Sequence, residues 1–92
     1  ARAGRSTMQV LIPSALRSYT GASRVQAGGA TLGEVLADLE RQFPGLRFRM
    51  VDEQDRIRPH MRVFVDGQAL HTLAQPLRPG ADVNIVQALS GG

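Results

Sequence analysis

The chain has 92 residues, a net charge of +3 and 42% apolar content, with no cysteine and no lysine. That is enough for one small domain with a single core and too little for two. The missing cysteine excludes disulfides, cysteine-ligated zinc and a thiol nucleophile, and points to a reducing cytoplasm.

All 11 basic residues are arginine, so no side-chain amine is available to attack an activated acyl group. No apolar run approaches the length of a membrane span. Aromatic residues make up only 4%, which serves base stacking poorly and argues against nucleic acid despite the basic balance. The only histidines, His60 and His71, are too few for a metal site, and no metal is expected.

In chain order, residues 1–7 ("ARAGRST") are small, polar and basic, with no apolar core. They are expected to be a loose arm or a cloning remnant, not a signal peptide. "MQVLIP" (8–13) is apolar and β-branched and is read as a central strand covered on both faces. "SALRSYTGAS" (14–23) is read as a loop with Gly21 in a turn, and "RVQA" (24–27) as an antiparallel partner of the first strand. Thr31 and Glu34 then form a T-x-x-E capping box. Leu32, Val35, Leu36, Leu39 and Phe43 fall on one helical stripe, with Glu34, Asp38 and Arg41 off it. Pro44 and Gly45 stop the helix, which is expected over about 31–43.

Leu46 and Met50, four apart, close a short helical turn, and 52–55 is a polar loop. "MRVFVDGQAL" (61–70) predicts a hairpin, because Asp66-Gly67 is a preferred tight-turn pair. "TLAQPLRPGADV" holds two prolines and is a loop or a single turn; "DVNIVQ" (82–87) is the last strand. One helix has to cover one face of a mixed four- or five-stranded sheet. With the first strand beside the last, this is an α+β fold of the β-grasp, ubiquitin-like kind. The domain is expected over 8–87, with a flexible tail at 88–92.

Four stretches then combine: "IPSALRSYTG" after the first strand, "GGATLGEVLADLERQFPGL" at the helix, "RVFVDGQ" at the hairpin and "LRPGADVNIVQALSGG" at the end. In this order and spacing the chain resembles the small ubiquitin-like sulfur carriers of the MoaD/ThiS family. Within the family, "IPSALRSYTG" followed by "TLGEVLADLE" looks closest to the carriers for cysteine or another sulfur-containing metabolite; "VQALSGG" lacks the proline pair common in molybdopterin-synthase small subunits, and 44–60 is longer than in thiamin-type carriers. The resemblance implies that the chain is not an enzyme and has no catalytic residue. The Gly92 carboxylate would be adenylated by a ubiquitin-activating-type adenylyltransferase, which uses ATP; the chain itself holds no permanent cofactor. A sulfur donor, either a sulfurtransferase or sulfide, would convert it to a thiocarboxylate. The sulfur would pass to a biosynthetic enzyme, either cysteine-synthase-like or a molybdopterin synthase large subunit. The alternatives are a molybdopterin-synthase small subunit and a ubiquitin-like modifier conjugated through Gly92.

Under that implication Leu89, Ser90 and Gly91 enter the partner's active site ahead of Gly92. Glycines suit a narrow site because they lack a Cβ and leave the backbone free. The segment 87–92, fully extended, reaches roughly 20 Å. Phe64 and Arg62 share one face of their strand while Val63 and Val65 share the other. If the valines face the helix, Phe64 and Arg62 become a candidate docking face. The arginines at 47, 49, 56, 58 and 62 are read as a solvated face, the alternative being that they steer an acidic partner.

Overall fold

A computed structural model describes residues 7–88. The elements in order are β1 (Thr7–Leu11), a 3-10 turn (Ser14–Leu16), α1 (Arg17–Thr20), β2 (Arg24–Gly28), α2 (Leu32–Gln42), α3 (Leu46–Met50), β3 (Met61–Val65), β4 (Gln68–Leu70) and β5 (Asp82–Gln87). The five strands form one sheet in the order β2-β1-β5-β3-β4. The β1–β5 pair is parallel and the other three are antiparallel. First and last strands therefore lie side by side at the centre and α2 covers one face, which is the β-grasp arrangement.

The core follows the two sequence periods. From the sheet come Met8, Val10, Met61, Val63, Val83 and Ile85; from α2 come Leu32, Val35, Leu36 and Leu39; all are at most 2% exposed. Phe43, the last residue of the helical stripe, is half-buried against this cluster. Burial of these side chains is the main favourable term in folding, at about 1.5–3 kcal/mol for each fully buried large one.

Thr31 caps α2 as expected, its hydroxyl accepting from the Glu34 amide at 3.2 Å. The Glu34 carboxylate, however, accepts from the Ala30 amide at 2.8 Å, one residue before the cap. Gly29 explains this reach. A Cβ there would lie 2.7 Å from the Glu34 Cβ, so the backbone leaving β2 runs tight against the first turn of α2. The next two amides of α2 are also satisfied: Leu32 donates to the Gln75 carbonyl at 3.0 Å and Gly33 to the Leu73 carbonyl at 2.9 Å. The loop after β4 is thus a strap that seals the N-terminus of α2.

Three expectations need correction. Thr7, assigned to the arm, pairs with Gly28 as the first residue of β1. β1 is central, but only one of its faces is covered: Gln9 is exposed and Leu11 half-buried, because among the described residues no second layer lies on that side. The segment 14–23 is not a plain loop. Pro13 leads into the 3-10 turn and α1, Leu16 plugs the core, and Gly21 ends α1 in the left-handed region at φ 70°.

Asp38 was expected off the buried stripe, yet it is 8% exposed. The end of β2 lies over it, and its carboxylate accepts from the Gly28 amide at 2.9 Å and from the Gln42 side chain at 3.2 Å. Arg41 completes the shell as an ion pair. A buried carboxylate is tolerable only with such partners.

Candidate functional site

The expected site, Gly92 with Leu89, Ser90 and Gly91 leading to it, lies outside the described residues. What the fold does fix is the root from which they leave. β5 is held on both sides, by β1 and by β3, through to Gln87, which pairs with Met61. The next amide, Ala88, donates to the His60 carbonyl at 2.7 Å. The root is therefore anchored in the middle of the sheet and tied to the segment entering β3.

On the face away from α2, strict alternation sets the side chains. Met61, Val63 and Val65 are buried, so Arg62 and Phe64 lie on the open face. The register aligns Leu11 with Asn84, Asn84 with Phe64, and Phe64 with Ala69, one row running across four strands. Beside it Arg62 pairs with Val86, which is 36% exposed. Leu11, Phe64, Asn84 and Val86 line a broad concavity of about 740 Å³ with Gln9 and Asp82. The condition set for Phe64 is met, and the aromatic ring is half-buried rather than fully exposed.

The open face is electrically uneven. At the end far from the tail root, Asp66 accepts two hydrogen bonds from Arg78, at 2.8 and 3.1 Å, and one from the Asp82 amide at 3.2 Å. The Asp82 amide first, and Arg78 second, hold its carboxyl below the usual carboxylate range. Near the root the charge is cationic. Among the described residues, the Arg62 guanidinium is engaged by the carbonyls of Pro59 and Met61 alone, at 2.5 and 3.0 Å.

Leu11 and Val86 were not singled out from the sequence. Both are apolar residues out of phase with the buried alternation of their strands, at 8, 10 and 12 and at 83 and 85. That break in phase was the available signal. Among the described residues no three His, Cys, Asp or Glu side chains gather to hold a metal ion. No described helix is long and apolar enough to cross a membrane.

Against known proteins, the model of the ThiS family matches residues 10–92. The sulfur carrier protein CysO of Mycobacterium tuberculosis is 34% identical over 89 residues, covering 90% of this chain and 96% of CysO. Its crystal structure superposes with a TM-score of 0.84 at 31% identity, over 89% of this chain and 99% of that one. A chain of the BexX/CysO complex of Amycolatopsis orientalis gives a TM-score of 0.85 at 30% identity, over 92% and 99% of the two chains. Small archaeal modifier protein 3 of Haloferax volcanii is 32% identical over 66 residues, 68% of this chain and 71% of the modifier. With the β-grasp sheet, the central β5 and the family match running to Gly92, the chain belongs to the ThiS family.

Proposed function

We propose that this protein is a cytoplasmic sulfur carrier of the CysO type, a protein substrate rather than an enzyme. The Gly92 carboxylate attacks the α-phosphate of ATP in a ubiquitin-activating-type adenylyltransferase, giving an acyl-adenylate and pyrophosphate. Sulfide displaces AMP and leaves a C-terminal thiocarboxylate directly; a sulfurtransferase persulfide instead displaces AMP to form an acyl disulfide, which a second thiol cleaves to the thiocarboxylate with formation of a disulfide. The open face around Phe64 and Arg62 docks on the partner while Leu89, Ser90 and Gly91 carry Gly92 inward. A biosynthetic enzyme, cysteine-synthase-like in this reading, accepts the sulfur.

The observation that carries this reading is the family match to the terminal Gly91-Gly92 pair, together with close relatives named as sulfur carriers. The anchored root supports it: a firm strand leads directly into the segment that has to reach a buried centre. The absence of lysine is consistent with a chain that carries an electrophilic end without attacking it.

The test is intact mass after incubation with the host's adenylyltransferase, ATP and a sulfur source. The expected product is heavier by the difference between one sulfur and one oxygen atom, and deleting Gly92 removes it without changing the melting curve. Only unmodified protein, in a reaction that converts a CysO control, refutes the carrier reading. The likeness to small archaeal modifier protein 3 favours one second reading, a modifier conjugated through Gly92. That reading predicts higher-mass conjugates that survive reduction.

A further inference from the structure

Two arginines flank the point where the tail root is tied. His60 supplies the carbonyl that holds Ala88, and Arg58 and Arg62 stand two residues to either side of it. Like Arg17, Arg24 and Arg49, neither has a carboxylate within ion-pair distance among the described residues, whereas Arg41, Arg47, Arg56 and Arg78 all do. Both guanidiniums are nevertheless fixed in place. Arg58 donates from Nε to the Phe48 carbonyl at 2.7 Å and lies over the Phe48 ring, 4.6 Å from its centroid. Phe48 is 60% exposed and has no other evident use. Arg62 is held by the Pro59 and Met61 carbonyls.

A guanidinium has five N–H donors, so most of those on Arg58 and Arg62 remain unused. A surface arginine normally loses side-chain entropy when it is ordered in an ion pair, which is why exposed pairs contribute little. Here much of that cost is already met within the free protein. The acids of the open face sit at its far end, where Asp66 is already engaged by Arg78. Of the arginines without an ion pair among the described residues, Arg58 and Arg62 are the two nearest in sequence to the tie at His60.

We propose that Arg58 and Arg62 form a preorganised cationic collar that docks against carboxylates lining the mouth of the partner's tail-accepting site. This rests on the carrier reading and adds the chemistry of the partner's rim to it. Carboxylates are the matching group because the planar fork of arginine pairs with them in bidentate fashion. Steering by such a collar raises the association rate at low salt and fades as ionic strength shortens the Debye length.

The experiment is pyrophosphate release by the host's adenylyltransferase with ATP, titrating the full chain at several salt concentrations. For R58E/R62E the KM is expected to rise about tenfold or more at low salt, with kcat little changed and the salt dependence flattened. R49E makes the same kind of charge change on α3 and should leave both near wild type; R58K/R62K should recover much of the loss. Circular dichroism and melting curves establish that each variant folds, and an unfolded R58E/R62E is replaced by the two single reversals. A wild type that is activated while folded R58E/R62E matches it in KM and salt slope overturns the collar alone. A wild type that no such enzyme activates overturns the carrier reading and the collar with it. Salt-sensitive binding of a short single-stranded RNA that is lost in R58E/R62E, with activation unaffected, reassigns the pair to nucleic acid and also overturns the proposal.

Discussion

Along β1 the side chains of Met8 and Val10 enter the core at 2% and 0% exposure, while Gln9 and Leu11 turn the other way. β3 and β5 repeat the contrast, with Val63 and Ile85 buried on one side and Phe64 and Val86 on the other. The two faces share every backbone hydrogen bond and differ only in what covers them. On the side under α2 each residue is fixed by volume and contact with its neighbours. On the other side no described element packs over the side chains, and yet Leu11, Phe64 and Val86 converge there. A converging group of apolar residues outside the core is where a partner contact is expected. Substitutions on the two faces should therefore fail in different assays.

The strongest break is expected under the helix. Leu36→Ala, at a fully buried site, should cost about 3 kcal/mol of stability in urea titrations, and the cost should track the cavity left behind. A loss below about 1 kcal/mol would mean that the core collapses freely around the gap, beneath the range such sites give. Next comes Asp38→Ala, which leaves the buried Gly28 amide without its acceptor and is expected to cost about 2 kcal/mol. Hydrogen exchange should locate the change at the α2–β2 junction, with protection at Gly28 falling first. On the open face, Phe64→Ala should cost only about 1 kcal/mol of stability while weakening partner binding about tenfold or more, as an anchor residue does. Equal losses in stability and binding would erase the distinction between the faces.

The smallest effect is on pH. Glu40 is held below the usual carboxylate range by the Gly45 and Arg47 amides, Asp52 by the Arg56 amide and Asp66 by the Asp82 amide and Arg78. A lowered folded-state pKa stabilises above the unfolded value, and that contribution is lost as pH falls through the folded one. Urea midpoints should be flat near neutrality and decline once pH drops through and below the ordinary carboxylate range, about 4. Asp66→Asn should make the decline shallower.

Much of this fold was legible because its signals are local. Asp66 and Gly67 take φ of 51° and 86°, as the hairpin turn demands. The capping residue Thr31 and the stripe from Leu32 to Phe43 give α2 within about a residue at each end. Four features were not legible, each for a physical reason. The strap after β4 is held by backbone bonds from Leu32, Gly33 and Leu77, and no side-chain pattern announces those. α1 is only four residues long and has no side-chain cap. The covered-on-both-faces reading of β1 failed because Leu11 is apolar for a reason other than the core. Asp38 looked like a solvated helix residue because its main partner, Gly28, lies on another element.

Of the candidate site, alternation alone was enough to put Phe64 and Arg62 on the open face. The gathering of Leu11 and Val86 beside them depends on the register between β1, β5 and β3, strands far apart in sequence. The Arg58 contact with Phe48 likewise spans ten residues, from the segment before β3 back to α3. Gly92 was reached through family resemblance, and its chemistry stands as a proposal.

The central position of β5 has a consequence for synthesis. Without residues 82–88 the sheet is two separate hairpins, β1–β2 and β3–β4, with no strand to join them. A ribosome that stalls before this segment therefore releases a chain with exposed strand edges and a core that lacks Val83 and Ile85, a target for proteolysis or aggregation. Folding waits for the strand that bears the tail root. A partner that recognises the assembled sheet thus meets few tailless decoys, because a chain lacking that strand has no such sheet to offer.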